Sequence, residues 1–189
     1  MTDFIEWINH LDKFYILSFA ANLNDAPYIK ELSFYISLMG RGEFALIIWL
    51  LLKDDSRFPK KKFLVSGLLT MGIIKTMKLY IQRPRPLGEG LVNPDMCSEI
   101  LKFESFPSGH SATAAFIACM LISKTDSDIL KVLIVLASIL VAASRFTGLV
   151  HYPSDCLVGY FIGILGFYLI ALPEKSSKRK SQSEREQNK

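Results

Sequence analysis

Three short blocks in the second half of this 189-residue chain carry the residue types needed to bind and cleave a phosphate ester. Together they supply three fixed cations, two histidines and one carboxylate. Cations and backbone N–H groups can surround the charged oxygens of a phosphoryl group, while a histidine can serve as nucleophile or acid. The residues concerned are, in chain order, Lys78, Arg85, Pro86, Pro107, Ser108, Gly109, His110, Ser144, Arg145, His151 and Asp155.

The third block places a histidine just before a predicted helix. Pro153 fits the first turn of that helix, so His151 precedes the turn and Asp155 lies within it. The Asp155 carboxylate can therefore reach back to one imidazole nitrogen, fix the tautomer and leave the other nitrogen free to attack phosphorus.

The second block predicts the start of another helix. Ser108 suits an N-cap, Gly109 allows close approach of a ligand to the backbone, and an apolar segment follows His110. Free N–H groups at a helix N-terminus bind phosphate readily. Beside the other two blocks, Ser108 and Gly109 are assigned to phosphate binding, whereas an isolated block of this kind more often caps a helix without a catalytic role.

Long apolar runs must position these blocks. Half of the residues are apolar, and a membrane-crossing helix needs about 20 of them in succession. The sequence therefore predicts an all-α, integral membrane helical bundle in one domain, residues 1–173. Its expected spans are residues 32–52, 63–81, 111–123, 129–143 and 156–172.

The two ends of the chain differ from this core. Residues 3–23 predict an amphipathic helix lying at the bilayer surface, with a sixth crossing as the alternative. Residues 174–189 are polar and basic, which predicts a disordered tail.

Basic residues set the expected orientation. They follow the first, third and fifth spans, which the positive-inside rule assigns to the cytoplasm. The three blocks then face the periplasm or the exterior of a cell membrane. The basic residues are Lys53, Arg57, Lys60, Lys61, Lys62, Lys124, Lys131, Lys175, Lys178, Arg179 and Lys180.

The order and spacing of the three blocks closely resemble the signature of the type 2 phosphatidic acid phosphatase superfamily, which includes membrane lipid phosphatases and soluble vanadium haloperoxidases. Every signature position between residues 78 and 155 matches. The resemblance implies that His151 forms a phosphohistidine, that Asp155 orients it and that His110 protonates the leaving oxygen. It also selects Arg85 over Arg83 as the phosphate-binding cation that acts with Lys78 and Arg145.

The activity implied by this resemblance is hydrolysis of a lipid phosphomonoester or diphosphate. Undecaprenyl diphosphate is the leading expected substrate, with phosphatidylglycerol phosphate, phosphatidic acid and a lipid A phosphate as alternatives. A vanadate-dependent haloperoxidase-like enzyme and a non-catalytic lipid-binding protein are less favoured. The expected partners are the lipid phosphate substrate and membrane lipids, without nucleic acid, cofactor or metal; the oligomeric state is left open.

Two further features lie outside the signature. Gly40-Arg41-Gly42-Glu43 interrupts the first apolar segment, and charged residues within a membrane usually face a cavity or a partner. The hypothesis is that Arg41 or Glu43 points toward the catalytic cavity; the alternative places both charges at the interface. The cysteines, Cys97, Cys119 and Cys156, lack metal-ligand spacing, and a bond between Cys97 and Cys156 is left open.

Overall fold

The computed structural model describes residues 2–23, 28–52 and 59–171. These ranges contain helices and irregular segments without a β-strand, so the all-α prediction is confirmed. Short 3₁₀ turns occur at Leu38–Gly40 and Pro94–Met96. The α-helices are α1 (Thr2–Leu23), α2 (Tyr28–Ser37), α3 (Gly42–Leu51), α4 (Lys60–Ile81), α5 (Gly109–Ile122), α6 (Asp128–Thr147) and α7 (Pro153–Ala171).

Five apolar segments follow the predicted order. Helices α4 and α6 are each long and apolar enough to cross a membrane, and the bent pair Tyr28–Gly40 and Gly42–Leu51 qualifies as one further span. Helices α5 and α7 are shorter apolar helices. Large apolar side chains cover the outside of α6, including Ile129, Val132 and Leu140, which are 77%, 58% and 58% exposed. Such a surface suits contact with lipid rather than water.

The first predicted span is not one continuous helix, as residues 32–52 had suggested. Helix α3 departs from the direction of α2 by 49°. A Cβ atom on Gly40 would lie 2.8 Å from Val141 Cγ1 and 2.9 Å from the carbonyl oxygen of His110. The break therefore lies where the backbone packs directly against α5 and α6.

Helix α5 is the buried centre of the bundle. Its residues from Ser111 to Ala118 are all buried, because α4, α6 and α7 surround it. Two glycines bring α7 into backbone contact with α5: a Cβ on Gly159 would lie 2.3 Å from the Ser108 carbonyl oxygen, and one on Gly163 would lie 2.1 Å from that of Ala112. This contact holds the second and third sequence blocks together.

Helix α1 packs one face against the protein. Ile16, Ala20 and Leu23 join a cluster with Leu149 and Tyr152. Several large side chains on α1 are instead exposed: Ile5, Trp7, Phe14, Tyr15 and Leu17. The predicted helix is confirmed, while its placement at the bilayer surface stays a prediction.

The three sequence blocks meet at one end of the bundle. Short connections make α5, α6 and α7 successively antiparallel, so the end of α6 lies beside the beginnings of α5 and α7. The loop after α4 returns to the same end. Lys60, Lys61, Lys62, Lys124 and Lys131 lie near the opposite end. The other predicted orientation signals, Lys53, Arg57 and the tail 174–189, fall outside the described residues.

Candidate active site

The side chain of His151 is held between a cation and a carboxylate. Its Nε2 atom lies 3.2 Å from Nη1 of Arg85, and its Nδ1 atom lies 3.6 Å from Oδ2 of Asp155. At 3.6 Å, the contact with Asp155 is too long for a hydrogen bond. Both His151 and Asp155 are buried. The arrangement leaves Nε2 as the nitrogen that faces the cationic side of the site.

Ser105 completes the environment of Asp155. Its hydroxyl donates to Asp155 Oδ2 at 2.5 Å and lies 3.5 Å from Nδ1 of His151. The backbone N–H of Tyr152 donates to the same carboxylate oxygen at 3.0 Å. These contacts fix the carboxylate beside the imidazole. Ser105 lies outside the recognised blocks, and no pattern in the sequence singled it out.

The protonation of His151 follows from its surroundings. Burial lowers its pKa to about 3; the Asp155 carboxylate opposes this shift, and the nearby Arg85 guanidinium adds to it. The imidazole is consequently neutral near pH 7. A neutral imidazole has the lone pair that a nucleophile requires.

Arg85 is a buried cation held by backbone carbonyls. Its Nε donates to Phe103 O at 2.7 Å, and its Nη1 donates to Val150 O at 3.2 Å. Burial and the nearby charge of Arg145 lower the pKa of Arg85 to about 10, so it remains charged at neutral pH. Of the two arginines weighed from the sequence, Arg85 is the one placed against Nε2 of His151.

Arg145, at the end of α6, is fully buried but only partly satisfied. Its Nη2 donates to Glu99 Oε2 at 2.6 Å. Its Nε and Nη1 atoms are buried and have no hydrogen-bond partner among the described residues. Buried unpaired donors are costly, and a guanidinium matches the oxygens of a phosphate. Arg145 is therefore suited to bind an anion.

Glu99 joins Arg145 to Arg41. Arg41 Nη2 lies 3.3 Å from Glu99 Oε1, whereas Arg145 contacts the other carboxylate oxygen of Glu99, Oε2. Burial opposes ionisation of Glu99, but the Arg145 guanidinium outweighs it and holds the pKa of Glu99 below its ordinary value. Arg41 thus reaches the site indirectly. Glu43 is exposed in the first turn of α3, and its role stays a prediction.

Lys78 and His110 complete the chemical inventory. The Lys78 ammonium donates to the carbonyl oxygen of Glu104, which also accepts from Arg85 Nη2 at 3.4 Å. Nε2 of His110 is buried and unpaired within the described part of the chain. The charges of Arg145 and Arg85 both act on His110. An unpaired imidazole nitrogen near two cations can exchange a proton with a bound phosphate ester.

Ser108 caps α5, as the sequence predicted. Its Oγ accepts hydrogen bonds from the N–H and the hydroxyl of Ser111, at 3.4 and 2.9 Å. The Ser108 N–H donates to Asp155 O at 3.0 Å, which ties the start of α5 to α7. First-turn amides of a helix, here Gly109 and His110, have no intrahelical acceptor. They form a suitable phosphate site at the helix N-terminus.

Arg83 has a structural place that the sequence did not reveal. Its two terminal nitrogens contact Asp155 Oδ1 at 2.6 Å and Asp12 Oδ2 at 2.8 Å. Asp12 belongs to α1 and is 3% exposed. The only sign of this contact in the sequence was that Asp12 is a charged residue in the middle of a predicted amphipathic helix. Glu99, in an irregular loop, offered no comparable signal.

Cys97, Cys119 and Cys156 are all free, so Cys97 and Cys156 are not bonded to each other. Within residues 2–23, 28–52 and 59–171, histidine, cysteine and acidic side chains form no group of three or more suited to a metal ion.

Comparison with known proteins agrees with this geometry. The family described as the PAP2 superfamily matches residues 60–176, a range that contains all three blocks. This chain belongs to the PAP2 superfamily. The resemblance inferred from the blocks is thereby confirmed, and the protein is a membrane lipid phosphatase, a hydrolase of phosphate esters.

Individual relatives extend the likeness beyond the matched range. The chain is 30% identical over 179 residues to phosphatidylglycerophosphatase B of Bacillus subtilis (strain 168), covering 86% of this chain and 84% of the relative. The crystal structure of Aquifex aeolicus LpxE is similar with a TM-score of 0.66 and 27% identity, covering 81% of this chain and 92% of LpxE. A transmembrane PAP2-type phosphatidylglycerolphosphate phosphatase from Bacillus subtilis shares the fold, with a TM-score of 0.58, 23% identity and coverage of 94% and 87%.

Proposed function

We propose that this PAP2 phosphatase cleaves a terminal lipid phosphate in two steps through His151. Nε2 of His151 attacks phosphorus while the bond to the lipid oxygen breaks, and His110 donates a proton to that oxygen. Water then attacks phosphorus, His110 takes the water proton, the bond between phosphorus and Nε2 of His151 breaks, and inorganic phosphate leaves. The placement of buried His151 between Asp155 and Arg85 is the observation that carries this proposal.

The cations supply the electrostatic part of the mechanism. Arg85 and Arg145 repel each other and both repel Lys78, and this repulsion falls when an anion binds among them. Charge that develops on the phosphoryl oxygens in the transition state meets donors that are already in place. The charge of the bound phosphate also favours the protonated imidazole of His110, which is the form needed to donate a proton.

An apolar groove provides room for the lipid chain. It has a volume of about 300 Å³ and lies between α3 and α4, with α5 behind it. Met71 and Thr113 line one part of the groove, and a Cβ atom added to Gly109 would lie 3.8 Å from the Met71 methyl group. A chain in this groove would leave its phosphate near the first turn of α5. The groove supports a lipid rather than a small water-soluble phosphate as the substrate.

We propose phosphatidylglycerol phosphate as the leading substrate, because the relative that is 30% identical is named for it. Undecaprenyl diphosphate, the first expectation from the sequence, is the main alternative. Phosphate release by the purified protein should be measured on both lipids, phosphatidic acid and a lipid A phosphate. Highest kcat/KM on phosphatidylglycerol phosphate supports the proposal; highest kcat/KM on undecaprenyl diphosphate overturns this substrate choice.

The same assay tests the less favoured functions. The His151→Gln variant serves as the control, since it lacks the proposed nucleophile. A protein that releases no phosphate from any of the lipids and from which bound lipid phosphate is recovered intact would fit the less favoured lipid-binding function. Bromide oxidation after loading with vanadate, without phosphate release, would indicate a haloperoxidase-like enzyme.

We also propose that the site faces the periplasm or the exterior of a cell membrane. The lysines near the other end of the bundle support a cytoplasmic location for that end. An impermeant thiol reagent applied to intact cells should label Asn93→Cys more than the unaltered chain and leave Asp126→Cys at background. Labelling of Asp126→Cys but not Asn93→Cys would reverse the orientation.

A further inference from the structure

A buried polar chain connects the N-terminal helix to the active-site carboxylate. Arg83 bridges Asp12 of α1 and Asp155 of α7, with distances of 2.8 and 2.6 Å. Asp12 also accepts from the N–H and the hydroxyl of Ser154, at 3.1 and 2.5 Å. Asn9 Oδ1 accepts from Arg83 Nη2 at 3.1 Å. A helix far away in the sequence thus contacts the turn that carries Asp155.

The packing of Arg83 leaves its guanidinium little freedom. Its Cζ atom lies 4.1 Å from the centre of the Tyr152 ring, and Tyr152 is itself fully buried. Nη1 donates to both Ser154 Oγ and Asp155 Oδ1. A guanidinium held by a ring and four oxygen partners can fix the plane of the carboxylate it contacts.

The charges of Asp12, Arg83 and Asp155 partly cancel one another. One guanidinium lies between two buried carboxylates, so the group carries a net charge of about −1 when both acids are ionised. Without Asp12, the charge of Arg83 would be directed at Asp155 alone. If the charge of Asp155 were fully offset by Arg83, Asp155 would stabilise positive charge on His151 less well. Asp12 therefore contributes to the charge balance around Asp155 as well as holding α1 in place.

We propose that Arg83 and Asp12 are positioning residues for Asp155: Arg83 orients its carboxylate toward His151, and Asp12 offsets the charge of Arg83 so that Asp155 can support the imidazole. The inference rests on the proposed role of His151 and deepens it. It also gives α1 a part in the reaction, although α1 precedes the residues matched by the family.

Other charged groups surround Asp155 and must be held constant in any test. Arg85 and Lys78 act on it from the loop and from α4, while His151 and Arg83 contact it directly. None of them is changed by a substitution at Asp12. The titratable groups that face Asp155 or its partner Arg83 are Lys78, Arg83, Arg85, His151, Tyr152, Cys156 and Asp12.

The test is a double-substitution cycle in the full chain, with phosphatidylglycerol phosphate in mixed micelles as the probe. Asp12→Asn should lower kcat about tenfold and change KM less than about twofold, because Asp12 does not touch the substrate. Arg83→Gln should lose more activity at about pH 6 than at about pH 8, because Asp155 without the Arg83 cation beside it accepts a proton more readily, and the lower pH favours that protonation.

Combining the two substitutions restores the original net charge. The double variant should therefore be more active than Arg83→Gln at about pH 6. The second substitution would then compensate part of the loss caused by the first, instead of adding to it. Asp12→Glu, which keeps the charge, should retain more activity than Asp12→Asn. Additive losses at every pH, or a double variant no better than Arg83→Gln, would overturn the inference.

The proposed function fails in a separate way. If His151→Gln keeps full activity, the nucleophile has been assigned wrongly, whatever the cycle shows. If His151→Gln abolishes activity while Asp12 and Arg83 behave additively, only the positioning roles are lost.

Discussion

Replacing Glu99 with alanine is expected to disable Arg145 without altering any group proposed to react. Glu99 supplies the hydrogen-bond partner of the Arg145 side chain among the described residues, at 2.6 Å. The two side chains are 15% and 1% exposed, so solvent screens their interaction little. Removing one member of a buried ion pair typically costs about 3 to 5 kcal/mol, because the other charge remains buried without compensation.

The loss should appear in both stability and catalysis. We expect Glu99→Ala to lower the free energy of unfolding by about 3 kcal/mol. A misplaced Arg145 should lower kcat/KM by about 10²-fold to 10³-fold, the effect of losing one preorganised donor in a transition-state site. Unfolding can be followed by denaturant titration in detergent micelles, and activity by phosphate release.

Glu31→Ala is a matched control. Glu31 is 57% exposed and lies 3.7 Å from the partly exposed Lys30, so its removal should change stability by less than about 1 kcal/mol. If Glu99→Ala behaves like Glu31→Ala in both measurements, Glu99 does not hold Arg145 and the reasoning is refuted.

Three further predictions concern the supporting structure. Gly159→Ala should lower the free energy of unfolding by about 1 to 3 kcal/mol and lower kcat, because its Cβ would lie 2.3 Å from Ser108 O. Gly72→Ala, with open space at that position, is the control. Equal effects of the two substitutions would contradict the packing argument. Arg41→Gln should lower kcat/KM only a few-fold, because the Arg41 side chain is 42% exposed and acts through Glu99. If Arg41→Gln and Glu43→Gln both leave activity and thermal stability unchanged, the hypothesis that one of these residues serves the catalytic cavity fails. Burial lowers the pKa of His151 to about 3, so the unfolded chain binds a proton that the folded chain lacks, and this contribution to stability is lost as pH falls through about 6.5 toward 3. His151→Asn should flatten that pH dependence in unfolding measurements, and an unchanged slope would contradict the assignment.

The parts of the structure that depend on local chemistry could be predicted from the sequence. Ser108 caps α5 through its own side chain, and Pro153 begins α7, so neighbouring residues determine how His110 and Asp155 enter their helices. The apolar runs likewise identified the five segments of the bundle, because the length and hydrophobicity of a span are properties of a short stretch of chain.

The connection between α4 and α5 could not be predicted in the same way. Its course depends on contacts between distant residues, such as Ser98 N–H to Gly148 O at 2.9 Å and Ser105 N–H to Arg83 O at 2.8 Å. No periodic pattern encodes such contacts. Glu99 and Ser105 therefore reached the site without a signal in the sequence.

Contacts across still longer separations explain the other omissions. Asp12 meets Ser154 across 142 positions, so its burial was invisible in a helix that looked amphipathic and charged. The sequence predicts one span over residues 32–52, and the glycines on either side of Arg41 permit a break in it. Its cause, the approach of Gly40 to the backbone of His110, became clear only from the packing.

The covalent intermediate is the most direct test of the account. Purified protein should be mixed with substrate labelled in its terminal phosphate, quenched within milliseconds to seconds, and mapped by mass spectrometry under conditions that preserve acid-labile phosphate. We expect label on His151, formed in excess chelator and absent from His151→Gln. Label on another residue, or a strict requirement for a divalent cation, would contradict the proposed mechanism.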